Sequence, residues 1–240
     1  MKNIILLALI GSCLMSCTKS EIKFSDLAEP IDFSKTTVIA NGSDVVTGVV
    51  TFNEDADISK ISAKLTGSNI TISGAENNEK TLSPVRTSEG KIEAEFSLTS
   101  TNTFGDASLE LNVNEYKETY SFEVIKSTVN SISIEPSAFS MLNNFQSEIT
   151  IEGLLLNEEG KKASRGVVVE ILDKLSDGSP ANGELRAKQL TSNGDSKISF
   201  IYSAGLIDPN QFVTIEAVVL DENGEPSNLN TSIEIFIRTE

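Results

Sequence analysis

The sequence predicts an all-β protein built from two tandem antiparallel β-sandwiches, and two observations carry this prediction. Apolar and polar residues alternate with a period of two, as in IEAEFSL, where Ile92, Ala94, Phe96 and Leu98 fall on one face. Such alternation is typical of an antiparallel strand with one face in water. After residue 16, no segment of comparable length repeats with the 3.6-residue period of a helix.

Counting the alternating segments gives about seven strands on each side of a break near Ser127, which is the spacing of a β-sandwich. We therefore predict one sandwich over 36–126 and a second over 127–240. The predicted strands of the first are 37–41, 45–52, 58–66, 69–73, 91–98, 107–113 and 117–125. Those of the second are 130–135, 147–156, 166–172, 184–190, 197–203, 212–220 and 232–238.

The two halves also resemble each other in sequence. TSEGKIEAEFSL, which starts at Thr87, matches TSNGDSKISFIY, which starts at Thr191, in a Thr-Ser entry, a Gly turn and an alternating strand with a central Phe. DASLELNV from Asp106 and VTIEAVVL from Val213 follow at the next strand. This weak duplication indicates two copies of one fold.

The first sixteen residues have the order of a signal peptide: Lys2, an apolar run from Ile4, then small residues. As a helix, the apolar run would span ~18 Å, which is too short to cross a bilayer. The tetrapeptide LMSC ending at Cys17 resembles the lipobox of bacterial lipoproteins. That resemblance implies cleavage before Cys17 and its acylation with chains such as palmitate; IGSC, ending at Cys13, is the alternative.

Residues 17–35 show no sustained periodicity, so we predict a tether there. Acyl chains at Cys17 would hold the protein on a membrane almost permanently. Thr18 stands where Asp signals inner-membrane retention in the enteric lipoproteins, so the resemblance implies the outer membrane. It leaves open whether the protein faces the cell surface or the periplasm.

Composition argues against several functions. The formal net charge of −16 opposes binding to nucleic acid. The chain has no histidine, which removes Ser-His-Asp catalysis and most transition-metal sites, so we predict neither an enzyme nor a cofactor. Asn53, Asp55 and Asp57 alternate like the start of a calcium loop, but Ile58 and Lys64 stand where that loop needs Gly and Glu. We assign no metal, although a looser calcium site there stays open.

Three longer stretches resemble the invasin/intimin-type (group one) bacterial immunoglobulin-like domains. They are VIANGSDVVTGVVTF from Val38, TSEGKIEAEFSLTSTNTFGDASLELNV from Thr87 and LLLNEEGKKASRGVVVEIL from Leu154. The resemblance covers roughly 36–126 and 128–240. It implies immunoglobulin-like sandwiches that serve as stalks, spacers or adhesive modules, and so a non-enzymatic role.

If a loop binds a ligand, DKLSDGSPANGE is the candidate, with Asp173, Asp177 and Asn182 as its polar side chains. The expected partner is an unidentified protein or an envelope or surface ligand. The alternative is a glycan-binding accessory lipoprotein of an outer-membrane nutrient-uptake system. That function requires an aromatic cluster, for which Tyr116, Tyr120 and Phe104 are the candidates.

Overall fold

The alternating segments form strands in the computed structural model, which describes residues 23–239. The first ten strands are β1 Asp32–Phe33, β2 Thr37–Ile39, β3 Val45–Phe52, β4 Ala63–Ser68, β5 Ile70–Ile72, β6 Glu79–Thr81, β7 Val85–Arg86, β8 Ile92–Ser100, β9 Gly105–Val113 and β10 Tyr116–Ile125. The remaining eight are β11 Ser131–Pro136, β12 Ser140–Leu142, β13 Ile149–Leu156, β14 Val169–Leu175, β15 Glu184–Gln189, β16 Lys197–Ser203, β17 Gln211–Leu220 and β18 Pro226–Arg238. Short 3₁₀ turns occupy Phe24–Asp26 and Ile58–Lys60.

Each half folds into two sheets with matching strand orders. The first sandwich has the order β1-β3-β8-β5, with β7 also on β8, against β2-β10-β9-β4-β6. The second has β11-β13-β16-β15 against β12-β18-β17-β14. In each, a three-residue strand pairs in parallel with the end of the last strand, while the other pairs are antiparallel. The prediction of tandem antiparallel sandwiches is confirmed.

Two separate clusters of buried apolar side chains lie between these sheets. One runs from Ala28 to Val124 and the other from Ile132 to Ile237. Strands β8 and β16, which carry the repeated Thr-Ser-Gly motif at their entry, hold the same place in the two sheets. The internal similarity therefore follows the architecture.

The predicted tether, 17–35, is too long at its C-terminal end. Ala28 and Ile31 are buried in the first core, and β1 pairs with β3. The sequence pattern missed this segment because Pro30 interrupts it and only two residues form the strand. The signal peptide and Cys17 lie outside the described residues.

Candidate functional site

The connection between the sandwiches is short, and its backbone is hydrogen-bonded on both sides. Only residues 126–130 separate β10 from β11. The N–H of Ser127 donates to Oγ of Ser164 (2.8 Å), and the Ser127 carbonyl accepts the N–H of Ser164 (3.0 Å). The Ser164 hydroxyl in turn donates to the carbonyl of Ala40 in the first sandwich (3.1 Å). One buried serine therefore joins the connection to both sandwiches.

Asn102, in the β8–β9 loop of the first sandwich, makes a second set of bonds across the junction. Its carbonyl accepts the N–H of Arg165 (2.9 Å), and its Nδ2 donates to the carbonyl of Asn193 (3.0 Å). Asn102, like both serines, is buried. A buried polar group that loses its partner costs about 1–3 kcal/mol, so these bonds favour one relative orientation of the sandwiches.

Ion pairs at the rim of the junction add little to this. Nζ of Lys126 lies 2.8 Å from Oε1 of Glu222 and 6.0 Å from the centre of the Phe104 ring. The hydrogen bond from Lys126 lowers the pKa of Glu222. Because Glu222 is almost fully exposed, water and salt screen this attraction. The buried hydrogen bonds, rather than the rim charges, therefore fix the junction.

The end of the second sandwich opposite the junction, called the distal end below, is formed by three loops. These loops cover 143–148, 176–183 and 204–210, and the last described residues of β18 end beside them. In an end-to-end arrangement, these loops are the part of the second sandwich farthest from the first.

The structure places the three predicted binding residues at this distal end, but in different settings. Asp173 belongs to strand β14, and its Oδ2 accepts the Tyr202 hydroxyl (2.9 Å) and the N–H of Gly183 (2.6 Å). Burial and the Asp173 carboxylate raise the pKa of Tyr202 far above its usual value. The Asp173 side chain therefore anchors the base of the loop.

Asp177 and Asn182 lie in the exposed part of that loop. Oδ1 of Asp177 accepts both the N–H (2.9 Å) and the hydroxyl (2.6 Å) of Ser179, and these bonds lower the pKa of Asp177. Asn182 has a left-handed backbone (φ 59°) and donates from Nδ2 to the carbonyl of Pro180. Asp177 and Asn182 thus shape the turn while facing solvent, and their role in binding stays a prediction.

Two apolar side chains at the distal end were not among the predicted site residues. Leu206 is 85% exposed and Phe145 is 50% exposed. A Cβ added to Gly205 would lie 2.9 Å from Cε1 of Phe145, so Phe145 packs against the loop that carries Leu206. Exposed apolar side chains set together at a loop cluster are typical of contact surfaces.

The aromatic residues proposed for glycan binding do not form a cluster. Tyr120 is half-buried, its ring centroid is 5.5 Å from that of Phe33, and its hydroxyl accepts the N–H of Ile31. Tyr116 pairs with Val113 at one end of the β9–β10 hairpin, whereas Phe104 precedes β9 at the other end. Eight residues of strand put Tyr116 and Phe104 about 25 Å apart.

In the possible calcium loop, the side chains of Asn53 and Asp57 accept local hydrogen bonds. Oδ1 of Asn53 accepts the N–H of Asp55 (2.9 Å), and Oδ1 of Asp57 accepts the hydroxyl and the N–H of Ser59. Within residues 23–239, no three His, Cys, Asp or Glu side chains are grouped as metal ligands would be. The same part of the chain contains no helix long and apolar enough to span a membrane.

Comparison with solved structures gives the fold a known counterpart. The chain is similar to invasin, described as a bacterial integrin-binding protein, with a TM-score of 0.58 and 16% identity over 88% of this chain and 39% of that one. It is also similar to the adhesin InvE of Yersinia pseudotuberculosis, with a TM-score of 0.46 and 14% identity over 88% of this chain and 61% of that one. The chain therefore spans less than two thirds of either protein.

The invasin match confirms the immunoglobulin-like fold that the sequence resemblance implied. At such identities, the likeness carries the fold and not the function. No protein-family model and no curated protein matches the chain.

Proposed function

We propose that the protein is a non-enzymatic, lipid-anchored protein of the bacterial cell envelope whose two immunoglobulin-like sandwiches form a spacer that presents a binding end. The observation that carries this proposal is the junction. The connection has only five residues, and buried hydrogen bonds from Ser164 and Asn102 hold the two sandwiches in one relative orientation. A freely swinging linker would not do so.

The anchor belongs at the opposite end from the distal loops. Phe24–Asp26 and Leu27 lie beside Asn53, at the end of the first sandwich remote from the junction. Acyl chains on Cys17 would leave only six residues before Phe24. At 3.3–3.6 Å per residue, these reach about 20 Å, so the first sandwich would stand close to the membrane.

The distal end is the proposed contact surface. It combines the exposed apolar residues Leu206 and Phe145 with the polar loop of Asp177 and Asn182. The fold it shares with invasin, an integrin-binding protein, supports a protein ligand at a surface. No observation favours the glycan alternative, since its aromatic residues lie apart.

The anchor is tested with two matched variants, Cys17→Ser and Cys13→Ser. Cells producing each variant are labelled with a palmitate analogue and fractionated. We expect Cys17→Ser to abolish labelling and release the protein from the membrane, while Cys13→Ser leaves both unchanged. Loss of label in Cys13→Ser alone, or in neither variant, would contradict the assignment of Cys17.

Protease treatment of intact and permeabilised cells, with a periplasmic marker, tests the location. Loss of the protein from intact cells supports surface binding. Protection until permeabilisation rules out the adhesive function and leaves a spacer within the envelope.

The binding end is tested with Phe145→Ser and Leu206→Ser in a cell-adhesion assay, with Val85→Ser as the control, because the exposure of Val85 on the first sandwich lies between those of the two distal residues. We expect only the distal variants to lose adhesion. Retention on polysaccharide that is lost on replacing Tyr116 or Phe104 by Ala would instead support the glycan alternative.

A further inference from the structure

An aromatic pair lies on the outer face of the sheet β12-β18-β17-β14, at its distal end. Phe212 on β17 and Phe236 on β18 are cross-strand neighbours whose ring centroids are 5.1 Å apart. Their sequence neighbours Val213, Ile235 and Ile237 are buried, whereas Phe212 is 50% exposed. Both rings therefore project from the face that is turned away from the core.

The fold does not need aromatic residues at this place. The two sandwiches share one strand order, and the short parallel strand aligns their last strands so that Glu123 holds the position of Phe236. The cross-strand partner of Glu123 is Asp106, which holds the position of Phe212. Both carboxylates are exposed. The same position therefore accepts two acids, and the phenyl rings serve a purpose other than folding.

Opposite charges flank the aromatic pair along β18. Glu234, Phe236 and Arg238 alternate along the strand, so their side chains share the outer face. Both charged side chains are exposed, and neither joins an ion pair within residues 23–239. The strand therefore presents a negative, an aromatic and a positive group in a row.

We propose that this face binds a second copy of the chain, with the two β18 strands antiparallel. Sheets that pack face to face lie about 10 Å apart with their strands nearly aligned. A two-fold axis at Phe236 then sets Glu234 of each copy opposite Arg238 of the other, and the phenyl rings against each other. A parallel arrangement would set like charges together.

The charges on this face also favour pairing with a second copy. Two copies that each carry a net charge of −16 repel each other in most orientations. A row of complementary charges around an apolar centre is a place where that repulsion is offset. The second copy is thus the occupant whose charge pattern this face matches.

The size of the face sets the strength of the interaction. A half-exposed phenyl ring leaves on the order of 100 Å² of apolar surface, so two rings per copy fall short of the ~1,000 Å² of a stable interface. We therefore expect a weak, concentration-dependent dimer. If the proposed anchor is correct, the antiparallel arrangement joins molecules on opposed membranes; the dimer itself does not depend on the anchor.

The first test replaces the phenyl rings with the residues of the first sandwich, as Phe212→Asp with Phe236→Glu. Sedimentation of the purified protein is measured from about 1 μM to about 1 mM, where weak complexes form. We expect the native protein to dimerise and the variant to associate about tenfold more weakly or worse. The control, Val45→Asp with Val85→Glu, adds the same charge at exposed valines of the first sandwich and should dimerise normally.

The second test swaps the charges. Glu234→Arg alone sets two arginines against each other and should weaken the dimer, whereas Glu234→Arg with Arg238→Glu restores opposite charges and should recover it. Thermal melts establish that each variant is folded. A native protein that stays monomeric throughout the range overturns the proposal. So does association that survives loss of the rings, or a double swap that fails to recover the dimer.

Discussion

The hydroxyl of Ser164 reaches from the second sandwich to the carbonyl oxygen of Ala40 in the first, 3.1 Å away, and neither residue is exposed to solvent. The same hydroxyl accepts the N–H of Ser127 in the connection. Two backbone groups thus depend on one side-chain oxygen. The junction is therefore sensitive to the loss of that single atom.

We predict that Ser164→Ala destabilises the protein by about 1–3 kcal/mol, because the carbonyl of Ala40 and the N–H of Ser127 lose their buried partner. The free energy of unfolding is measured by urea titration, and small-angle scattering reports the spread of orientations, which should widen. Ser133→Ala, an exposed site on β11, is the control. Equal stability and scattering for the two variants would show that the hydrogen bonds do not hold the junction.

The pair Tyr202–Asp173 predicts a loss of stability at alkaline pH. Burial, and to a smaller extent the neighbouring carboxylate, raises the pKa of Tyr202 above its unfolded value near 10, so the phenol stays protonated to a higher pH in the folded state. Burial likewise raises the pKa of Tyr120 to about 12. The contribution of these two tyrosines to the free energy of unfolding is complete below pH ~10 and is lost as the pH rises beyond that value.

Urea titrations test the predicted loss of stability at about pH 8 and about pH 11, two values that lie on either side of the pKa of tyrosine in the unfolded chain. Tyr202→Phe removes a buried hydrogen bond and should be less stable than the native protein at the lower pH. The difference should narrow at the higher pH, because only the native protein has a phenol at position 202 that ionises on unfolding, whereas Tyr116 and Tyr120 are common to both proteins. A difference that is constant or grows with pH would contradict the raised pKa.

All the long strands could be predicted from the sequence, but of the six strands with two or three residues only β2 and β5 were, each inside a longer predicted segment. Each of the fourteen predicted segments overlaps an observed strand. The prediction missed β1, β6, β7 and β12, which have two or three residues each, too few for a period of two to register. It also began β4 too early, since Ile58–Lys60 is a 3₁₀ turn, and Asp57 just before it accepts the N–H of Ser59.

The site was harder to predict for a different reason. Asp173 was predicted to lie in a loop because its neighbours are polar, yet it pairs with Ile215 inside the sheet. Leu206 resembles a core residue in sequence but is exposed.

A signal for Phe212 did exist, because it alternates in phase with Thr214 and Glu216 and so shares their outer face. The Ser164 bridge joins loops that are distant in sequence, and no local pattern could reveal it.

Each core contains a strand glycine that faces a large side chain of the neighbouring strand. Gly48 on β3 pairs with Phe96, and Gly153 on β13 pairs with Ile198. A Cβ at Gly48 would lie 2.3 Å from the Phe96 ring, and one at Gly153 would lie 2.6 Å from Ile198. In each sandwich, the missing side chain makes the room that its cross-strand neighbour occupies.

We predict that Gly48→Ala lowers the free energy of unfolding by about 1–3 kcal/mol, the usual cost of overpacking a core. Gly194→Ala is the matched control, since a Cβ there meets no atom within 4 Å and its φ is not positive. Adding Phe96→Leu to Gly48→Ala removes part of the obstructing ring, so the double variant should lose less stability than the two single variants summed. Strict additivity, or a Gly48→Ala protein as stable as the control, would show that a Cβ at position 48 does not clash with the Phe96 ring.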